Sequence, residues 1–424
     1  MYHKAMSQKA KILIFLLSFV ILLYGASAAF FAKEAYKELA IFMEVIQKVR
    51  DEYVEIPDMN KVQDGAMQGL FDALDPYSTF LTREQLEEYE KRNAADSAGA
   101  GMVITKRSDV FYVVSVEAQG AADKVNVRPG DYLLSLNNEE IHNKSMLEVN
   151  NLLRGAPGTG VKLTVFRGSQ SGPQDIELFL QEPASNYVTS KMLDGNIGYL
   201  QIASLNGASV EQVKANLKAL VSAGADKILL DLRNCAEGEP AAGAEVANFF
   251  LKEGVIYFSQ DRKGEKLDVV KAAQEKFVTD LPMALLLNGS TAGAAEIIAG
   301  ALKDHDRARL IGERSFGVGA AQKTIKLKSG AALILSTAKY STPNGNIIQT
   351  ETAARKAGIE PDFESPDTGR RQELAVEAYY DYDGEDDNDK YRMIQEKLRQ
   401  IQLDKAIEIL LGMQSPAEYM EKAA

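Results

Sequence analysis

Few side chains of this chain can make or break bonds, and their spacing narrows the choice further. Three histidines and one cysteine supply no metal-ligand pattern and no internal disulfide. Cys235 reads as a partly buried, inert thiol. The stretch Asp381-Tyr382-Asp383-Gly384-Glu385-Asp386-Asp387 has its glycine misplaced for a calcium loop and reads as a solvated acidic loop. No glycine-rich phosphate loop precedes a helix, so no metal or cofactor is expected. What remains is attack by a hydroxyl. Ser290, Thr291 and Ser315 are candidate nucleophiles, with Lys303, Lys323 and His305 as candidate bases. A serine hydroxyl is a weak nucleophile until a neighbouring base takes its proton, and no pair among these has a spacing that defines such a partnership. Ser290 reads first as a turn or helix-cap residue, Lys323 as the solvated face of a strand, and His305 as a polar helix end.

The elements that would position these residues change along the chain. Leu39, Phe42, Met43, Ile46 and Val49 recur at helical spacing. A second helical run, Val62 to Leu74, stops at Asp75-Pro76 because proline cannot continue it, and Thr82 is placed to cap a charged helix from Arg83 to Lys91. Asn93 to Gly101 reads as a linker. Short strands follow at Val110–Val116, Asp131–Leu136 and Val161–Arg167, with one helix near Met146–Leu153. Strands at Ile197–Ile202, Lys227–Leu232 and Met283–Leu287 then alternate with helices at Val210–Val221 and Ala241–Leu251. That alternation implies an α/β layer. A helix from Lys390 to Leu411 closes the chain, and no internal repeat is present.

The 424 residues carry a net charge of −12, which argues against a nucleic-acid partner. His3, Lys4, Lys9 and Lys11 precede an uncharged run, Ile12 to Ala32, closed by Lys33. At about 1.5 Å per residue that run crosses a hydrocarbon core of about 30 Å, and its basic flank keeps the first residues inside. The favoured expectation is an uncleaved anchor through residues 12–32, with the bulk on the periplasmic or extracytoplasmic side. Ala26-Ser27-Ala28 also resembles a signal-peptidase site, which would release the chain.

An ordered set of motifs resembles the C-terminal processing (tail-specific) serine peptidases. It runs from Asp75-Pro76-Tyr77-Ser78-Thr79-Phe80-Leu81 through Gly99-Ala100-Gly101-Met102, Arg128-Pro129-Gly130-Asp131 and Asp231-Leu232-Arg233-Asn234. It continues through Glu296-Ile297-Ile298-Ala299-Gly300-Ala301-Leu302, Ile311-Gly312-Glu313-Arg314-Ser315-Phe316-Gly317, Thr337-Ala338-Lys339-Tyr340, Thr342-Pro343 and Gly358-Ile359-Glu360-Pro361-Asp362. The resemblance spans roughly residues 36–365. It implies a serine–lysine dyad, the lysine acting as base once burial lowers its pKa. The motif that carries the serine reads here Thr291-Ala292-Gly293-Ala294-Ala295-Glu296-Ile297, and the one that carries the lysine reads Phe316-Gly317-Val318-Gly319. Gly293 stands at the nucleophile position and Val318 at the base position. Where the family has Pro-Gly-Gly for its oxyanion, this chain has Ala236-Glu237-Gly238, so Glu237 brings a like charge. Gln322 matches a glutamine that orients the dyad.

The expected architecture is an α/β (α+β) multidomain chain. It comprises a transmembrane or signal helix (1–33), a helical domain (34–95), a β-rich PDZ insert (96–183), an α/β peptidase-like core (184–365) with its strands in one layer, and an acidic loop with a closing helix (366–424). The resemblance implies a PDZ groove that captures a terminal carboxylate on backbone N–H groups. Gly99, Ala100, Gly101 and Met102 form its loop, and Ile104 and residues near Leu147 and Leu152 its walls. The expected function is an exported pseudopeptidase that binds protein C-termini or unfolded polypeptides, alone or with an active relative or adaptor. The alternative is an active serine endopeptidase with a relocated nucleophile such as Ser290.

Overall fold

A computed structural model describes residues 39–92, 98–107, 110–167, 172–349, 357–366 and 387–413. The apolar run at 12–32 lies outside these residues, as does most of the acidic stretch. Among the described residues no helix is long and apolar enough to cross a membrane. The chain divides into two units at Leu70/Phe71. The first contributes helix α1, residues 39–52, and most of α2, Met59–Asp72. The second holds everything from Phe71 onward.

Asp75 explains the local shape after α2. Its carboxylate accepts N–H groups of Tyr77 (2.8 Å) and Ser78 (2.9 Å) and the Ser78 and Ser336 hydroxyls at 2.8 and 3.2 Å. This Asx-type turn delivers strand β1 (Thr79–Leu81) and helix α3 (Arg83–Arg92). Thr82 and Gln85 close the capping box reciprocally, Gln85 N–H to Thr82 Oγ1 and Thr82 N–H to Gln85 Oε1.

The PDZ region is built on a six-stranded antiparallel sheet, with a separate two-stranded pairing of Ala98–Gly99 and Arg154–Gly155. Its long strands are β2 (Met102–Arg107), β3 (Val110–Val116), β4 (Tyr132–Leu136), β5 (Gly160–Phe166) and β6 (Gln174–Phe179), in that order, and helix α4 (Met146–Leu152) covers it. Alternation decides the core: Phe111 and Val113 of β3 and Val161, Leu163 and Val165 of β5 are buried. The Arg128–Asp131 turn is pinned by Arg167, whose guanidinium donates to both Asp131 oxygens at 2.6 and 2.7 Å.

The core has two sheets, which corrects the single layer expected from the pattern. The larger sheet runs β7 (Val188–Leu193), β8 (Ile197–Ile202), β9 (Lys227–Asp231), then β12 (Met283–Leu287), β13 (Arg309–Gly312) and β16 (Phe363–Glu364). All its neighbours pair parallel except β7 with β8. Helices α5 (Gly207–Ser222), α6 (Pro240–Asn248) and α7 (Ala294–Asp304) form crossovers. The second sheet combines β10 (Val255–Gln260), β11 (Lys266–Lys271), β14 (Ala320–Lys326) and β15 (Ala332–Ser341) with β1. Strands β11 and β14 leave most of their residues exposed; β11 had no expected counterpart, whereas β14 carries the strand face expected at Lys323.

The closing helix α8 spans Asp387–Gly412. Leu403, Ala406, Ile407 and Leu410 pack over β8, β9 and β12. Arg233 fixes it: the guanidinium pairs with buried Asp231 at 2.6 Å and donates to Arg399 carbonyl (2.9 Å) and Gln402 Oε1 (3.0 Å). The Asp231 and Arg233 positions of the motif are therefore explained by helix docking.

Candidate functional site

Three loops leave the carboxyl ends of parallel strands β9, β12 and β13, where ligands collect in open α/β sheets. Hydrogen bonds knit them together. Asn234 N–H donates to Asn288 Oδ1 (3.0 Å), and Asn288 Nδ2 donates to Asn234 Oδ1 (2.9 Å). Ala292 N–H donates to the Cys235 carbonyl and Phe316 N–H to the Thr291 carbonyl, both at 2.9 Å.

Glu296 is the centre of this arrangement. It lies in the first turn of α7 and is fully buried. Its Oε1 accepts the Ser315 hydroxyl (2.5 Å) and Gly317 N–H (2.8 Å), while Oε2 accepts Val318 N–H (2.8 Å) and Gly293 N–H (3.0 Å). Burial pushes its pKa up to about 7, against these four donors, which pull it down. One carboxylate oxygen thus holds Gly293 and Val318 side by side. The framework is present, but it presents a hydrogen atom and an isopropyl group.

Gly293 has φ 59 and ψ −119, a conformation that a residue with a Cβ adopts only under strain. Space is not the obstacle, because a Cβ would meet nothing nearer than the Ala236 carbonyl oxygen at 3.8 Å. A Gly293→Ala variant should therefore lose about 1–3 kcal/mol of stability from backbone strain alone, read as a shift in the urea midpoint with unchanged slope. A midpoint equal to wild type would contradict the strain. Gly238 is needed for a different reason: at φ 138 an added Cβ would lie 2.3 Å from the Leu205 carbonyl oxygen.

Four of the other candidates are occupied. Thr291 Oγ1 donates to the Leu232 carbonyl (2.8 Å), and Ser315, besides its bond to Glu296, accepts Ile359 N–H (2.6 Å). Lys303 Nζ donates to the Glu360 carbonyl (2.6 Å), and His305 Nε2–H donates to the Val255 carbonyl (2.7 Å). Lys323 is exposed on β14. Gln322 donates to the Tyr77 carbonyl at 2.6 Å, a tie between β14 and the Asp75 turn. Cys235 is completely buried, which drives its thiol pKa far up and leaves it inert. Among the described residues, no three histidine, cysteine or carboxylate side chains gather as a metal site.

The PDZ region sits on these loops. Tyr112 of β3 stacks on Phe316 (6.2 Å between centroids, 23° between planes), and Ser115 Oγ donates to the Asn234 carbonyl (2.7 Å). Two cavities flank this contact. One, of about 320 Å³, joins the loop at Gly99, Ala100, Gly101 and Met102 to Ala236 and Glu237 of the core. The second, of about 730 Å³, is lined by Ser290 and Glu313 of the core, Arg128 of the PDZ region and Tyr391 of α8. Among the described residues its lining includes no lysine or histidine.

Ile104 does not join the first cavity. It is buried in the PDZ core, while Leu147 packs toward Leu81, Leu86 and Ile334 and Leu152 against the PDZ core. Glu117 and Arg154 line the first cavity, and neither stands out in the sequence. Residues 117, 154 and 237 come together only through the fold, so no local spacing announces them.

The pattern of a PDZ domain matches residues 99–178, and that of peptidase family S41 matches residues 196–365. The carboxy-terminal-processing protease of Bartonella bacilliformis is 32% identical over 335 residues, covering 78% of this chain and 76% of that protein. Carboxy-terminal processing protease CtpA of Bacillus subtilis is 30% identical over 339 residues, 79% of this chain and 71% of that one. Among solved structures, the photosystem II D1 C-terminal processing protease superposes with a TM-score of 0.64 at 25% identity, covering 77% of this chain and 92% of that one. With a PDZ region seated on three loops at the strand ends, and with relatives matched over most of their length, the chain belongs to the carboxy-terminal processing proteases of peptidase family S41.

Proposed function

We propose that this chain is a non-hydrolytic member of its family, a pseudopeptidase that binds polypeptide tails in the cavity between the PDZ loop and the core. The observation that carries it is the Glu296 latch, which holds the Gly293 and Val318 backbones together where the family motifs have serine and lysine. Nothing at those two positions can attack a carbonyl or accept a proton. Glu237 adds a negative charge beside the same loops, where a developing oxyanion needs hydrogen-bond donors. Ser290 as a relocated nucleophile is disfavoured, because the cavity it lines offers, among the described residues, no lysine or histidine as base.

The photosystem II D1 C-terminal processing protease is, by its name, directed at a protein's C-terminus. By analogy the ligands here are protein C-termini or unfolded tails, held for an active relative or adaptor. We place the bulk of the chain on the extracytoplasmic side, anchored by residues 12–32, on the charge and length of that run. The test is to titrate the full chain, in mild detergent, with fluorescent peptides that have the sequences of unfolded protein tails. Saturable binding with every peptide recovered intact by mass spectrometry is expected. Peptide fragments, or an absence of binding to any tail, would refute the proposal.

A further inference from the structure

The charge of the cavity says which tails it takes. Its walls come from the Gly99–Val103 loop, the end of α4 through Arg154, Ser204 and Asn206 after β8, and Asn234–Glu237. Among the described residues, the charged side chains in that lining are Glu117, Glu237 and Arg154. Arg154 lies 3.9 Å from Glu237, and both are more than half exposed, so that pairing is weak. One negative charge is left over. Glu117 is also placed against the capture loop itself: a Cβ on Gly101 would sit 3.3 Å from a Glu117 carboxylate oxygen. A carboxylate therefore stands beside this loop, whose Gly99 and Ala100 N–H groups already donate to the Gln181 and Leu153 carbonyls at 2.8 and 3.0 Å. Burial and the charge of Glu237 both raise the Glu117 pKa, and burial followed by the charges of Glu117 and Glu237 raises that of Tyr187. In both groups burial is the larger cause, and the neighbouring negative charges add to it.

We propose that Glu237 and Glu117 are specificity-determining residues that make this cavity select polypeptide tails bearing a lysine or arginine and reject acidic ones. The proposal rests on the cavity binding tails. Acidic walls repel a second carboxylate and attract an ammonium or guanidinium group, and such complementarity acts chiefly on partner choice.

The test uses the full chain in mild detergent and three fluorescent tail peptides of equal length that differ only in carrying lysine, alanine or glutamate near the C-terminus. The lysine peptide should bind at least about 10-fold more tightly than the glutamate peptide. Glu237→Gly and Glu117→Gln should each shrink that ratio, and Arg154→Ala, which removes a positive charge from the lining, should enlarge it. The Arg154 variant keeps the test informative if a glutamate substitution disturbs folding. Equal binding of all three peptides, tighter binding of the glutamate peptide, or a ratio unmoved by these variants would overturn the charge selection while leaving tail binding intact. Binding of none of the three would remove both.

Discussion

A chain carrying Gly293→Ser, Val318→Lys and Glu237→Gly together is expected to hydrolyse an unfolded polypeptide at least about 10³-fold faster than the wild-type chain. The loops that would carry the new groups are already tied to one another through Glu296 and the Asn234–Asn288 pair. A Cβ at position 293 has room and faces the Ala236 carbonyl. Position 318 is partly buried, and burial lowers a lysine's pKa toward neutrality. Removing Glu237 takes a negative charge from beside the developing oxyanion. Because nucleophile and base act as a unit, either substitution alone should gain less than about 10-fold. The serine should also lower stability through the backbone strain at position 293. Release of a fluorescent product over time, followed for the single, double and triple variants, separates these contributions. Activity in a single variant equal to that of the triple would contradict the dyad framework.

The largest structural effect is expected at Glu296. Its carboxylate satisfies four donors in a fully buried place, and each buried donor left without a partner costs about 1–3 kcal/mol. Glu296→Ala should lose at least about 3 kcal/mol, lowering Tm by at least about 4 °C. The same residue imposes a pH dependence. Its folded-state pKa of about 7 lies above the usual 4.5, so the native state holds a proton that the unfolded chain has released. The contribution of that proton is fully present below about pH 4.5 and is lost as pH rises through 7, with a limiting slope of about 1.4 kcal/mol per pH unit. Urea unfolding of wild type and Glu296→Gln at several values between pH 4.5 and 8 reads this directly. Wild type should lose stability relative to the variant across the interval, and parallel curves would contradict a raised pKa.

What the sequence made legible follows from how local each signal is. The Thr82 cap, the Arg128–Asp131 turn and the α4, α5 and α6 helices depend on neighbours within a turn or two, and they stand near their expected places. Motif order along the chain was enough to identify the family. The second sheet was not legible, because strands such as Lys266–Lys271, the outer arm of a hairpin with Val255–Gln260 at the sheet edge, are exposed on most of their length and lack an alternating apolar face. Ile104 was expected in the groove, yet its side of β2 faces the PDZ core, where it is buried. Gln322 kept its place in the motif while its amide serves the Tyr77 carbonyl. Glu296 was visible only as a motif letter; its position three residues after a glycine at a helix start was the signal that it could hold a backbone N–H. Nothing local marks Glu117 or Arg154, whose shared cavity exists only after the PDZ region and the core have folded together.

The central claim is that no hydroxyl in this cleft is activated for attack. Incubating the purified full chain with an unfolded polypeptide and, separately, with a serine-reactive fluorophosphonate probe tests it most directly. The prediction is an intact polypeptide over hours and no labelled serine. Cleavage that grows with time, together with labelling that disappears in Ser290→Ala, would contradict it.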